Sequence, residues 1–376
     1  MPASAPEGRS MPLPKFNWPS LRRTAETLII ATIGGFGFHM AGFPAGFVSG
    51  SMAAVALAAL LGRPCGMPNW LTRLFFLAIG ISLGTVVTPE TLQGMAAAPF
   101  SIGVLAVTTI AITAGSTYYL IFVHKWTPVS ALLAASPGAL AQVLALATEF
   151  KADVRAIVIV QSVRVLILGV GLPGSLSLLG FESVPIERAS KLGLADSMIE
   201  LAILVAVSVG AAYGLQWLRF PGGILFGSLL GSAVLHGTGW IEVALPPWLA
   251  YSAMIGCGAV AGSRFSGMTL RMLMQYLGAA AGSFAVAMVI VCAVLAVLLP
   301  ILPVPVPDLV VSFAPGAQET MLIMALALHL DPVFIGAHHL ARFIIVSIGI
   351  PVVVKLISGP PAPPAQPKPP QPPTGD

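Results

Sequence analysis

The chain has 376 residues and a formal net charge of +4; 57% of its residues are hydrophobic and 9% charged, with a mean hydropathy of +0.93. A soluble domain carries roughly 25% charged residues, so the composition excludes one and reads as an all-α polytopic membrane protein. The basic residues are scattered between apolar runs, where they act as topology signals and not as a nucleic-acid footprint.

Residues 1–20 are rich in Pro, Ser and Ala without a period and read as a disordered cytoplasmic tail. Arg22 and Arg23 precede an apolar stretch with no small-residue cleavage site, so the first helix is expected to serve as its own insertion signal. Apolar segments run near 25–41, 44–62, 69–87, 98–123, 128–149 and 154–176. Stretches of about 20 residues suffice to cross roughly 30 Å at about 1.5 Å per residue, and their Leu, Ala, Gly and Val content favours helices over barrel strands. A polar linker at 181–199 separates a first membrane repeat, 21–180, from a second, 200–358. The second holds segments near 200–218, 221–239, 247–264, 272–300, 308–329 and 333–356, and a Pro-rich tail, 359–376, is expected to be extended and solvated. Cys65, Cys257 and Cys292 lie far apart with no CxxC pair and read as packing residues, neither a disulfide framework nor a zinc site.

The two halves are related by a nearly constant offset. Phe43-Pro44, Gly46, Gly50 and Ser51 recur in the same spacing as Phe220-Pro221, Gly223, Gly227 and Ser228. With the register moved by a single position, Gly80, Gly84, Pro137, Gly138, Asp153, Arg164 and Pro173 recur as Gly258, Gly262, Pro315, Gly316, Asp331, Arg342 and Pro351. Such constancy argues for two structural repeats. If the segment broken by Pro-Gly does not cross in either half, each repeat makes five crossings and the second is inverted. The loops with Arg63 and Arg73, Lys125, Arg219, and Arg264 and Arg271 then all fall inside with Lys355, while those bearing Glu90, Glu242 and Asp308 fall outside. The expectation is ten crossings, inverted repeats and both termini in the cytoplasm of a cell whose inner membrane holds the protein.

Proline followed by glycine inside an apolar run removes a backbone donor and loosens the helix. In lipid this is tolerated only where protein or a water-filled cavity satisfies the freed groups. The helix after each break presents unpaired N–H groups and a positive dipole end that can hold an anion or carboxylate. Asp153 and Asp331 read as N-caps, the latter with Pro332 at N1. Arg164 and Arg342 follow them by three helical turns, roughly 16 Å into a helix and close to the bilayer centre. A charge there marks a pathway or a paired site, unless it caps carbonyls freed at the break. Gln161 shares a helix face with Arg164, as His338 and His339 do with Arg342. Glu319 stands where the first copy has Ala141; it can pair with Arg342, carry a proton, coordinate a cation or simply stabilise the new helix N-terminus. Ser136, Gln142 and Gln318 add neutral hydrogen-bonding groups. The candidate substrate or ion site is therefore Ser136, Pro137, Gly138, Gln142, Gln161, Arg164, Pro315, Gly316, Gln318, Glu319, His338, His339 and Arg342, with its chemistry centred on the second copy. The small-xxx-small spacing of Gly80, Gly84, Gly258 and Gly262 is explained by close helix packing.

The duplicated pattern, from Ala314-Pro-Gly-Ala-Gln-Glu-Thr-Met321 through His338-His339-Leu-Ala-Arg342, resembles the AbrB family of bacterial membrane proteins over residues 25–356. It departs from the common pattern at Ala139 and Ala317, where a second Gly is frequent, and at Thr320, where an acidic residue is common. Members are often labelled ammonia monooxygenase or AbrB family transcriptional regulator. The resemblance implies an integral membrane protein with broken helices, related to cation:proton antiporter and anion transporter folds. Together these readings lead to a secondary transporter of a small solute, ion- or proton-coupled, sited between the two Pro-Gly segments. The alternative is a membrane-embedded regulator acting through a partner. No catalytic residue, metal or cofactor is expected, since six scattered histidines offer only one adjacent pair. The expected partners are the lipid bilayer and the solute, with homo-oligomerisation left open.

Overall fold

The computed structural model describes residues 18–87, 98–137, 140–180 and 194–358. Most of the expected N-terminal tail, the larger part of the linker, the Pro-rich tail, Glu90 and Gly138 lie outside the described residues. Every long element among the described residues is an α-helix. In chain order they are α1 (Trp18–Met40), α2 (Gly46–Leu60), α3 (Asn69–Gly84), α4 (Ala98–Phe122), α5 (Pro128–Ala135), α6 (Leu140–Glu149) and α7 (Val154–Leu178). There follow α8 (Leu194–Trp217), α9 (Gly223–Gly237), α10 (Pro247–Gly262), α11 (Leu270–Leu298), α12 (Val306–Phe313), α13 (Gln318–Ala327) and α14 (Pro332–Ser358). Helix α8 starts at Leu194, inside the stretch read as linker.

Among the described residues, five helices are long and apolar enough to cross a membrane: α4, α7, the Met198–Trp217 part of α8, α11 and α14. Helices α2, α3 and α9 are apolar but span only 15 or 16 residues, about 22–24 Å at 1.5 Å per residue. They are shorter than their apolar runs because the backbone leaves the helix at fixed points. Ala45 and Gly222 hold left-handed conformations, φ 52° and 64°, before α2 and α9, and Gly62 at φ 87° follows α2.

Small residues let the helices of one half approach those of the other. A Cβ on Gly80 of α3 would lie 1.9 Å from Ser228 Oγ and 2.5 Å from Leu225 O on α9, and one on Gly258 of α10 would lie 1.9 Å from Ser51 Oγ and 2.6 Å from Val48 O on α2. Only glycine allows these crossings, which is the packing role expected of the small-xxx-small spacing. Cys65 and Cys257 are buried, as packing residues should be, whereas Cys292 is exposed.

The Pro-Gly segments are broken helices that turn back. Ser136 and Ala314 precede the prolines and are extended, with ψ 125° and 129°, because the proline ring disfavours helical geometry in the residue before it. The backbone N–H of Asp153, at the start of α7, donates to Ser130 Oγ near the start of α5 at 3.1 Å. The N–H of Asp331, at the start of α14, donates to Asp308 Oδ1 near the start of α12. The end of α6 thus returns to where α5 began, and the end of α13 to where α12 began. Both aspartates also cap as expected: Asp153 Oδ1 accepts from Ala156 N at 3.1 Å, and Asp331 Oδ1 from Val333 N and Phe334 N at 2.9 and 3.1 Å.

Candidate functional site at the two helix breaks

A helix ends with carbonyls that lack intrahelical partners, and α5 and α12 end inside the protein. Their orphan carbonyls are met from the neighbouring long helix, on one plan used twice. Gln161 Nε2 donates to Leu133 O at 2.9 Å, and His339 Nε2 donates to Val311 O at 3.0 Å. Arg164 Nη2 donates to Ala134 O at 3.2 Å. Arg342 does more: Nη1 donates to Ala314 O, and Nη2 to Ser312 O and Phe313 O, both at 3.1 Å.

The ring bonds fix the histidine tautomers. A carbonyl only accepts, so His339 carries its proton on Nε2 and leaves Nδ1 to accept from Arg342 Nη1 at 3.4 Å. His338 likewise carries a proton on Nδ1, 2.7 Å from Phe334 O, and its Nε2 lies 2.8 Å from Ser101 Oγ of α4. His338 therefore points away from the arginine, and of the two histidines expected beside Arg342 only His339 touches it. The His338 ring packs against Phe334 and Phe313, with centroids 4.2 and 5.9 Å apart.

Both arginines are almost wholly buried, at 3% and 2% exposure, and the Nε of each has no hydrogen-bond partner. Arg164 is the less committed of the two, since only its Nη2 is bonded to protein. Of the roles open to Glu319, pairing with Arg342 is not seen: the ion pair found among the described residues is Arg22–Glu26, on the surface of α1. The guanidinium has instead been drawn over the carbonyl end of α12, while Glu319 lies half-buried in the first turn of α13.

Each arginine helix also meets the opposite break. A Cβ on Gly316 would touch Leu168 of α7 at 3.2 Å, one turn beyond Arg164. Gln142 Nε2, at the start of α6, donates to Ser347 O of α14 at 2.8 Å, just beyond Arg342. Helix α13 begins at Gln318 after Ala317, with no side-chain cap on its first N–H groups, and Gln318 Oε1 is buried without a partner. The Gln318 amide faces the left-handed Gly222, where a Cβ would lie 2.9 Å from its Nε2. Ser136 is buried and folds its Oγ onto Leu133 O at 3.1 Å, and Pro137, Pro315 and Gly316 are buried at the breaks or close to it. Gly138 lies outside the described residues. The structure thus gathers Ser136, Pro137, Gln161 and Arg164 at one break and Pro315, Gly316, His339 and Arg342 at the other. Gln142 reaches across between the halves, Gln318 faces Gly222, Glu319 joins neither arginine in an ion pair, and His338 bonds Ser101 of α4.

Two participants went unrecognised in the sequence. Ser101, the partner of His338, carries no local signal, because it sits on a helix far away in the chain. Asp308, expected in a loop, instead stands in the first turn of α12, buried at 6% exposure, and receives the Asp331 N–H. It occupies the position of Ser130 carried over by the register that maps Asp153 onto Asp331, so that register would have found it.

Among known families, the one described as "Transition state regulatory protein AbrB" matches residues 47–358. A protein of Bacillus subtilis (strain 168) named "Uncharacterized protein YhjN" is 24% identical over 362 residues, covering 88% of this chain and 92% of the relative. A protein of Escherichia coli (strain K12) named "Putative regulator AbrB" is 24% identical over 338 residues, covering 88% of this chain and 95% of the relative.

Proposed function

We propose, for a chain that belongs to the AbrB family, that it is a secondary transporter of a small solute, with its site between the two Pro-Gly hairpins. The observation that carries this reading is that two broken helices turn back inside an apolar helical protein, each with a buried guanidinium from the following long helix over its carbonyl end. Irregular backbone at membrane depth is tolerated where it lines a cavity or is buried in protein, and discontinuous helices at a repeat interface are the construction found in secondary transporters.

Inverted repeats are part of the proposal. The bounds of α3, α5 and α6 recur in a single register as those of α10, α12 and α13, which supports a duplicated unit. Five crossings and one returning hairpin per unit invert the second copy, so the hairpins enter from opposite faces, both termini are cytoplasmic and the membrane is a bacterial inner membrane. The loop with Arg264 and Arg271 carries this topology. A reporter fused after Arg264 is expected to be cytoplasmic, and a periplasmic reporter overturns ten crossings.

Flux is the direct test. The purified chain reconstituted in proteoliposomes is expected to carry current or counterflow for a member of a panel of small acids, amines and inorganic ions, with dependence on a pH or sodium gradient. Monodisperse protein that moves none of them refutes transport. The regulatory words in the family description favour a second reading, in which the protein acts on gene expression through a partner. Under that reading a flux-dead variant still restores the transcript profile of a deletion strain; under transport it does not.

A further inference from the structure

We infer, resting on the transporter reading above, that the solute is an oxygen-bearing anion and that Arg164 is the side chain that holds it. The sign of the site is the first argument. Two guanidinium groups are buried, and no carboxylate of the described residues forms an ion pair with either one. Glu319, the acidic residue nearest in sequence to a break, forms no ion pair with either arginine. A guanidinium cannot shed its proton to escape this, so the missing charge is supplied from outside the protein. The uncapped first turn of α13 adds donors and a positive dipole end on the same side of α7, where Gly316 meets Leu168.

The division of labour between the arginines is the second argument. Arg342 spends both of its Nη groups on Ser312, Phe313 and Ala314 carbonyls and on His339 Nδ1. It is fixed as the cap of α12 with Nε–H alone to offer. Arg164 donates once, to Ala134 O, and its Nε–H is buried without an acceptor. The planar fork of a guanidinium matches the two oxygens of a carboxylate or of a tetrahedral oxyanion. Both kinds of anion present the same chemistry to Arg164, so the test separates them.

The purified full-length chain in detergent is titrated with sodium succinate, sodium sulfate and sodium chloride at matched ionic strength, and with choline chloride as the cation arm. Unfolding midpoint and equilibrium binding by calorimetry are read, since a ligand of the folded state raises its stability. Succinate or sulfate is expected to raise the midpoint with dose, and the preferred one separates a carboxylate from an inorganic oxyanion site. Arg164→Met is expected to weaken that binding at least tenfold. Arg164→Lys, which keeps the charge and loses the fork, is expected to fall between, and it preserves the test if the Met variant fails to fold. No shift with either oxyanion, a shift with choline alone, or unchanged anion binding in both variants overturns the inference. Binding is read without a gradient. A bound anion with no flux removes the transporter and keeps the site, whereas cation flux untouched by Arg164→Met removes the site and keeps the transporter.

Discussion

Replacing each buried arginine by methionine, similar in length and uncharged, separates a structural guanidinium from a functional one. Arg342 and Arg164 are buried to the same degree, so the gain from no longer holding a charge at depth, about 2.5–3.5 kcal/mol on the mild insertion scale, is common to both variants and cancels in their difference. What remains is the hydrogen-bond inventory. Arg342 donates to three carbonyls and Arg164 to one. At about 1.5–3 kcal/mol for each bond to a charged donor, the two additional bonds make Arg342→Met less stable than Arg164→Met by about 3–6 kcal/mol. Arg164→Met alone loses about 1.5–3 kcal/mol of bonding against the charge term, and so is expected to lie near the wild type or slightly above it. Denaturant unfolding of the three proteins in one detergent measures this. Equal destabilisation by the two substitutions, within about 1 kcal/mol, would refute the argument that one arginine is a cap and the other is held in reserve. A site residue whose removal leaves the fold intact but abolishes binding is the usual trade between stability and activity.

Gly80→Ala is expected to lower the unfolding midpoint by several degrees, corresponding to about 1–3 kcal/mol of overpacking, because its Cβ meets Leu225 O as well as the movable Ser228 hydroxyl. Gly103→Ala in α4, with nothing within 4 Å of the added Cβ, is the control; equal effects of the two would count against the α3–α9 crossing. Asp331→Asn tests the cap of α14. Burial raises the Asp331 pKa above its ordinary value, opposed by the hydrogen bonds from Phe334 and Val333. Ionisation therefore costs the folded state more than the unfolded one, and stability falls as pH rises from the ordinary value through the raised one. Asparagine caps as well as aspartate, so the variant is expected to be the more stable at neutral pH and to converge with the wild type at acid pH. A midpoint difference that does not change with pH would show that the cost of the charge plays no part.

Much of this arrangement is legible in the sequence because it follows from local rules. The breaks are read from Pro137 and Pro315, the caps from Asp153 and Asp331, and the interlocking helices from glycines four apart. The return of α6 to the start of α5 is hinted at by the charge pattern alone, and it becomes visible once Asp153 N is seen on Ser130 Oγ. Partners across the fold are another matter. Whether Glu319 or the end of α12 takes the Arg342 guanidinium depends on which helix lies alongside α14, and no spacing within one segment encodes that. The same holds for Ser101 and His338, which come from distant parts of the chain.

The two breaks share a backbone and differ in the side chains laid over it. The backbones at the ends of α5 and α12 are nearly the same, with φ −64° and −57° and ψ 125° and 129°, so the carbonyls are offered in the same way. The side chain one turn before each arginine is what differs. His339 donates through Nε2 to Val311 O and turns its Nδ1 lone pair to Arg342, which holds Nη1 over the end of the helix. Gln161 makes the equivalent bond to Leu133 O but has no hydrogen bond to Arg164, which reaches one carbonyl and no further. The exchange of Gln161 for His339 thus goes with the difference in how far each guanidinium is spent on the backbone. The chemistry moves with it, from the second break, where the richer set of titratable residues pointed, to the first, where an arginine still has donors to give.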